Sequence, residues 1–434
     1  MAWTYLIARV GAAFQIFAFT FIAWTVTKSA LAAVMVGIAF AIAFGLAAMP
    51  AGRMAHRFSN RGVVVWISLA KAAIYAVVLA LEIAGELSLL AILISSAASG
   101  VTSSMHYPSW KELLEQFSAE GRLDETNALF SSLDAVGAVV GAVIGAIVID
   151  RFGAGPVFAF NVVSYLPLAL IVSRFPSVGA QAPDKSRAAR VPLKKVFATI
   201  SKLNAVRLAI LLTALVNLLG WPLVALLPKV ASELGPEARV YGALLASFYV
   251  GAALVAIFLR EWKMSAPYGR IISHSIAAGG CALVITGAVG LAPLSTTVTF
   301  VGLIVMLAIT GFGITTAQSV LGAITQLGVP KKTEGEVLGV LALTMIFFST
   351  VGSFTQGLLA DELRIWWLPL ASGVLIVIAI TVIWLRHGFL LLNASDPSRK
   401  SVLRHAEASS HEGASAVLIH GGTKNHGTKC PPAN

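Results

Sequence analysis

The sequence predicts an all-α integral membrane protein whose twelve transmembrane helices form two six-helix bundles. Three observations carry that prediction. Charged residues make up only 12% of the 434 residues against 57% apolar, and the mean hydropathy is +0.85; a soluble chain of this length would need far more ionisable surface. Apolar stretches of roughly 20 residues each match a bilayer's hydrocarbon thickness at about 1.5 Å rise per residue. Six of them lie on either side of a basic, Pro-punctuated segment. The chain therefore divides into a first bundle at 1–173, a linker at 174–207, a second bundle at 208–386 and a tail at 387–434.

The first span, 5–27, follows Met1 with no basic n-region or convincing cleavage site, so it reads as a helix that stays rather than a signal peptide. Spans at 31–51 and 63–84 flank a basic loop, and the third contains Lys71. The fourth, 87–106, is expected to stop at His106, before a break at Tyr107-Pro108. The fifth, 126–149, carries Asp134 and a ladder of Gly137, Gly141 and Gly145, whose small size lets helix backbones approach closely. The sixth is 154–173. In the linker, Pro176, Pro183 and Pro192 precede LKKVFATISKL, where Val196, Ile200 and Leu203 share one helical face opposite lysines. That pattern predicts an amphipathic helix on the inner leaflet. The second set of spans is 208–228, 240–259, 270–291, 296–322, 336–360 and 365–385. The tail has little periodicity and is expected to be disordered. Its His405, His411, His420 and His426 are irregularly spaced without Cys or carboxylates, so they read as solvated residues rather than metal ligands.

Basic residues set the orientation. With the N-terminus inside, eighteen Lys and Arg fall in inner loops, and only Lys28, Arg151, Lys229, Arg239 and Arg364 fall in outer ones. Both termini are therefore expected on the inner, cytoplasmic side of the membrane. The net charge of +11 then reflects topology and contact with anionic lipid rather than nucleic-acid binding. Cys281 in a span and Cys430 in the tail do not form a disulfide framework. Phosphate-binding loops, zinc-ligand sets and nucleophile elbows are not found, so no cofactor, metal or enzymatic activity is expected. A polytopic membrane enzyme would need acidic or His clusters on a substantial interfacial loop, whereas the outer loops are short and the central loop basic.

The two halves repeat. EQFSAEGRLDETNAL (115–129) precedes the fifth span and TQLGVPKKTEGEVLG (325–339) the eleventh. Gln116 and Gln326 are each followed eight positions later by an acid, Asp124 and Glu334, and the spans end alike, at Gly145 to Asp150 and Gly357 to Asp361. A parallel six-plus-six repeat implies two bundles related by an axis along the membrane normal, with a cavity between them that opens alternately to each side. The architecture reads as transport.

Motifs in the first half carry a family resemblance. PAGRMAHRFSNRGVVV (50–65) resembles the major facilitator superfamily signature after the second span, with Gly52, Arg57 and Arg61 matching and His56 standing where the family has Asp. The run from Tyr107 to Leu166, with its FAFNVVSYL element, resembles the branch of that superfamily containing the enterobactin exporter and macrolide efflux proteins. The resemblance covers residues 1–386. It implies a major facilitator fold and a secondary transporter exporting a small amphipathic molecule, drug- or siderophore-like, against inward proton flow. Partners would be that substrate, protons and membrane lipids, with the protein monomeric. A lipid or metabolite carrier without proton coupling is the alternative. It gains from His56 and from Ala142 and Ala146, which stand where family antiporters carry Pro and a final Gly. The Gly52, His56, Arg57 and Arg61 loop would form the gate. A neutral imidazole cannot counter Arg57 as a carboxylate would, so either other contacts close it or Glu112 and Glu115 supply the charge.

Ionisable residues inside spans cost about 2.5–3.5 kcal/mol at a helix centre and are functional suspects. Arg9 and Asp134 lie on helices entering from the same side and are expected to pair, either as a static contact or as one whose breaking accompanies proton uptake. Lys71, on a helix peripheral in the family fold, is expected at lipid headgroups or a helix end. The cavity in this fold is lined by spans one, four, seven and ten, which nominates Gln15, Thr20, Thr102, Ser103, Asn217, Trp221, Thr315, Thr316 and Gln318. Mostly neutral groups in an apolar surround suit an amphipathic substrate better than a sugar.

Overall fold

The computed structural model describes residues 2–55, 60–117, 123–174, 193–235, 237–261, 268–330 and 333–386. His56, Arg57 and the tail histidines lie outside them. Among the described residues all regular structure is helical, as it must be where lipid offers the backbone no hydrogen-bond partner. The first bundle comprises α1 (Ala2–Thr27), α2 (Ala30–Ala55), α3 (Asn60–Ile83), α4 (Leu89–Phe117), α5 (Leu123–Phe152) and α6 (Gly155–Arg174). A short α7 (Leu193–Lys202) leads to the second: α8 (Asn204–Leu219), α9 (Pro222–Ser232), α10 (Glu237–Glu261), α11 (Tyr268–Leu291), α12 (Thr296–Leu327), α13 (Glu334–Glu362) and α14 (Trp367–Leu385). Counting α8 and α9 as one, twelve elements among the described residues are long and apolar enough to cross a membrane.

Three features differ from the expectation. Helix α4 does not break at Tyr107-Pro108 but runs on to Phe117, its continuation anchored by Trp110 and Leu113 in the first bundle's core. Helix α7 forms where expected, and Val196 and Ile200 are its buried face. They pack on Val206, Val329 and Val337 of the second bundle rather than on lipid. The seventh span is split at Gly220-Trp221. Pro222 has no N–H to give the Leu218 carbonyl, so the ladder must break there.

The freed carbonyls find a partner on another helix. Gln356 of α13 donates its amide to Leu218 O (3.5 Å), Leu219 O (3.3 Å) and Ser372 Oγ (3.2 Å). Gln356→Leu leaves these acceptors bare in an apolar interior and should cost about 1–2 kcal/mol. A lower apparent melting temperature for the purified variant, with no comparable loss for the neighbouring Thr355→Val, checks this.

Helix pairing repeats between bundles. In the first, α2 packs on α4, α3 on α6 and on α4, and α1 on α5 and α6; in the second, α10 packs on α12, α11 on α14 and on α12, and α8 on α13 and α14. Taking α8 and α9 as the counterpart of α1, these are the same pairs. The ladder of α5 supplies one of them: Gly137 faces Arg9, Gly141 faces Ala13 and the Val10 carbonyl, and Gly145 faces the Phe14 ring. A methyl group at Gly141 would collide with Ala13, so α1 and α5 approach as closely as they do because it is absent. Between bundles the most extensive contacts are α5 with α10 and α2 with α13, again a symmetric pair.

Candidate transport pathway

One end of the molecule, the termini end, carries the start of α1 and the end of α14; the far end carries the links 28–29, 153–154, 233–235 and 363–366. Among the described residues, charged contacts between the bundles gather at the far end. Asp361, at the end of α13, accepts from Ser29 Oγ (2.6 Å), Ala30 N (2.7 Å) and Leu31 N (3.3 Å), and so caps the start of α2 in the other bundle. Asp150, at the end of α5, lies 2.5 Å from Nη2 and 2.6 Å from Nε of Arg239 in the first turn of α10. These are the two aspartates that close the repeated spans, and each crosses to the start of the opposite bundle's second helix. Lys28 adds an ion pair to Glu237 (3.1 Å) from a left-handed backbone, φ 53°, in the two-residue link between α1 and α2. Lys229 donates to the Ala360 carbonyl, with Asp361 4.0 Å away, which steadies the end of α13.

Inside this charged layer sits an aromatic one. Phe17 stacks on Tyr241 across the bundle boundary, centroids 4.6 Å apart, and Phe21 lies 6.1 Å from the same ring. Beneath it a cavity of about 330 Å³ opens between the bundles. Its walls come from α1, α2 and α4 on one side and α9, α10 and α13 on the other. Ile16, Phe19, Val34, Ile38, Val224 and Leu245 make most of it apolar, while Gln15, Thr20, Ser96, Tyr249, Ser349 and Ser353 supply polar points. Trp221, placed there by the helix break, completes the wall.

Of the nominated cavity residues, Gln15, Thr20 and Trp221 line this space. The others are placed elsewhere. Thr102 returns its hydroxyl to Ala98 O and Ser99 O of its own helix. Asn217 bonds Thr213 O and receives Gln318 Nε2 at 3.2 Å, a pairing within the second bundle. Thr316 is fully buried in α12, Thr315 is partly buried, and Ser103 accepts from Lys71. Helix α13, which the sequence reading left out, contributes Ser349, Thr350 and Ser353.

Toward the termini end lies a polar cluster within the first bundle. Arg9 Nε stands 2.6 Å from Asp134 Oδ1, both side chains 42% exposed, and the Tyr5 hydroxyl donates to the same oxygen at 2.7 Å. The Nε–H does not point along a hydrogen-bond direction, so the contact is an ion pair without an aligned bond. Tyr5 is fixed by Trp110 stacked 4.7 Å away and Phe130 edge-on at 4.8 Å. Lys71 is not at a lipid headgroup or helix end. Its Nζ turns inward, 3.1 Å from Ser103 Oγ and 5.4 Å from the Tyr165 ring centroid. One turn further, the Tyr75 hydroxyl donates to Gln15 Oε1 and lies 3.5 Å from Ser99 Oγ. In the gate loop, Gly52 lies within the last turns of α2 and Arg61 in the first turn of α3.

The family profile of the Major Facilitator Superfamily matches residues 1–353. The chain belongs to that superfamily. Solved structures agree on the fold of this superfamily member. A D-xylose-proton symporter superposes with a TM-score of 0.69 at 12% identity, over 88% of this chain and 97% of that one. A bacterial homologue of the iron transporter ferroportin, in an inward-facing state, gives 0.62 at 16% identity, over 88% and 96%. A bacterial homologue of the human lysosomal transporter Spinster, inward-facing and unoccupied, gives 0.59 at 14%, over 91% and 97%. Among curated proteins none matches the sequence significantly. Members of the superfamily are transporters, so the superfamily member described above is a multi-pass membrane protein of transporter type that takes a small-molecule substrate.

Proposed function

We propose that this chain exports a small amphipathic organic molecule, drug- or siderophore-like, by alternating access with proton antiport. The observation that carries the reading is the central cavity, apolar with scattered polar points, sealed at one end by ion pairs and aromatics. An apolar wall with few polar groups favours an amphiphile over a polyol, whose hydroxyls would go unpaired. Lys and Arg concentrate in the loops at the termini end, so that end faces the cytoplasm and the latched end faces out. The conformation is then inward-facing, ready to load from inside. The linker 174–207 and the tail 387–434 lie on the cytoplasmic side, and the protein works as a monomer in the bacterial inner membrane.

Coupling is assigned to Arg9 and Asp134. Both side chains are 42% exposed, so a substrate or a change of conformation can reach the pair. The coupling step is the breaking of this pair together with proton uptake. Export then follows if protonation and substrate loading compete. A facilitator without coupling is the second reading, favoured by α5 running unbroken from Leu123 to Phe152 through Ala142, with no Pro to bend it.

Reconstituted vesicles with an imposed pH gradient, offered a panel of dyes, siderophores and lysolipids, test both. Accumulation of at least one compound should follow the gradient and vanish with a protonophore. Accumulation that ignores the gradient for every responsive compound would leave the facilitator reading in its place.

A further inference from the structure

The first bundle holds more positive than negative charge in its interior. Arg9 and Lys71 face inward with Asp134 as the one carboxylate among the described residues there, and that carboxylate is already engaged by Arg9 and Tyr5. Lys71 and Arg9 are close enough to feel each other's charge, and His106 feels both. The described partners of the Lys71 ammonium are a serine hydroxyl and the face of a tyrosine ring. Neither carries charge. Lys71 is also far from either end of its helix. It lies eleven residues into α3, about 16 Å along the axis at 1.5 Å per residue, and its side chain points across to α4. An ammonium in this position is costly unless an anion joins it.

The surroundings tie the ammonium to the central cavity. Ser103 and Ser99 stand one turn apart on α4, as do Lys71 and Tyr75 on α3. Tyr75 links Ser99 to Gln15, which lines the central cavity. A lane of neutral hydrogen-bonding groups thus runs from the ammonium to the apolar chamber. We propose that Lys71 receives the anionic head of the transported amphiphile, an organic carboxylate or similar oxyanion, while the apolar body lies against Ile16, Phe19, Val34 and Leu245. This rests on the reading of the cavity as the substrate chamber and narrows its substrate class to amphipathic anions. Asp134 would discourage a second negative charge, so a monoanion fits best.

The test uses the full-length protein in phosphatidylcholine nanodiscs, with decanoate and decanol as probes of equal chain length and different charge. Binding is read from thermal stabilisation and from tryptophan fluorescence. Decanoate should bind about tenfold or more tighter than decanol, the scale of one charge-assisted hydrogen bond. Lys71→Gln should erase the preference, Lys71→Arg should keep it, and Ser103→Ala should leave it largely intact. Equal binding of the two probes by the natural protein overturns the proposal without any variant having to fold. So does a preference that survives Lys71→Gln. Discs containing phosphatidylglycerol separate a lipid phosphate from a substrate: decanoate binding that falls as that lipid is added would assign the site to a headgroup and overturn the substrate role. Because binding is read without translocation, a protein that prefers decanoate but moves nothing in vesicles would count against transport and not against this site.

Discussion

Asp361→Ala is expected to release the far end of the molecule and abolish most transport. The carboxylate is the cross-bundle acceptor for Ser29 Oγ, Ala30 N and Leu31 N, so its loss uncaps α2 and breaks that bundle contact together. Charged hydrogen bonds are worth about 1.5–3 kcal/mol each when well buried. The side chain is 30% exposed, so a discounted total on the order of 2–4 kcal/mol is reasonable. That moves the balance between closed and open far ends by about one and a half to three decades. Asp150→Ala should act in the same direction but less, since Arg239 is 55% exposed and meets only one oxygen. The readout is a cysteine placed at Ser353 in a background without Cys281 and Cys430, labelled from the far side with an impermeant maleimide. Labelling should rise strongly with Asp361→Ala and further with Asp150→Ala added, whereas Asp150→Arg with Arg239→Asp in place of Asp150→Ala should bring it back to the level of Asp361→Ala alone. Unchanged labelling in the double variant would mean that the aromatic layer of Phe17, Phe21 and Tyr241 closes this end unaided.

The latch also marks how far sequence reasoning reached. Span positions were legible because a bilayer demands long apolar runs, and each of the twelve was found. Asp150 and Asp361 were visible as matching landmarks of the repeat. Their partners were not, because a contact across two bundles depends on how the lobes tilt, which no local pattern encodes. Arg9 and Asp134 could be paired in advance, since opposite charges inside spans have few ways to be satisfied. The inward turn of Lys71 was missed for the opposite reason: on a peripheral helix a lysine can run to lipid headgroups or turn inward, and hydropathy does not distinguish the two. Hydropathy likewise ends the fourth span near His106, although the helix continues through Trp110 on first-bundle packing. The break at Gly220-Trp221-Pro222 stood in the sequence, but the carbonyls it frees gained meaning only with Gln356 beside them. Thr102 and Asn217 were nominated by position, and both spend their polar groups within their own bundle.

The second large effect is expected at Asp134. Asp134→Asn keeps the shape and an acceptor for the Tyr5 hydroxyl but removes the charge opposite Arg9. If the pair couples protons to transport, accumulation driven by a pH gradient should fall by about tenfold or more, about 1.4 kcal/mol of driving force per decade. Exchange of labelled for unlabelled substrate across the same vesicles, which needs no net proton movement, should stay near the natural rate. A purely structural pair predicts the reverse pattern: both modes decline together, in step with lower thermal stability. The two cases separate further in a double-mutant cycle. Both side chains are 42% exposed, so water can solvate either charge alone and single variants should still fold. Asp134→Leu combined with Arg9→Met should then recover stability relative to Asp134→Leu while leaving gradient-driven transport lost. Stability follows the sum of charges around α1 and α5, whereas coupling requires one group that can take up and release a proton. In this pair only Asp134 can, because a guanidinium does not titrate in the physiological range.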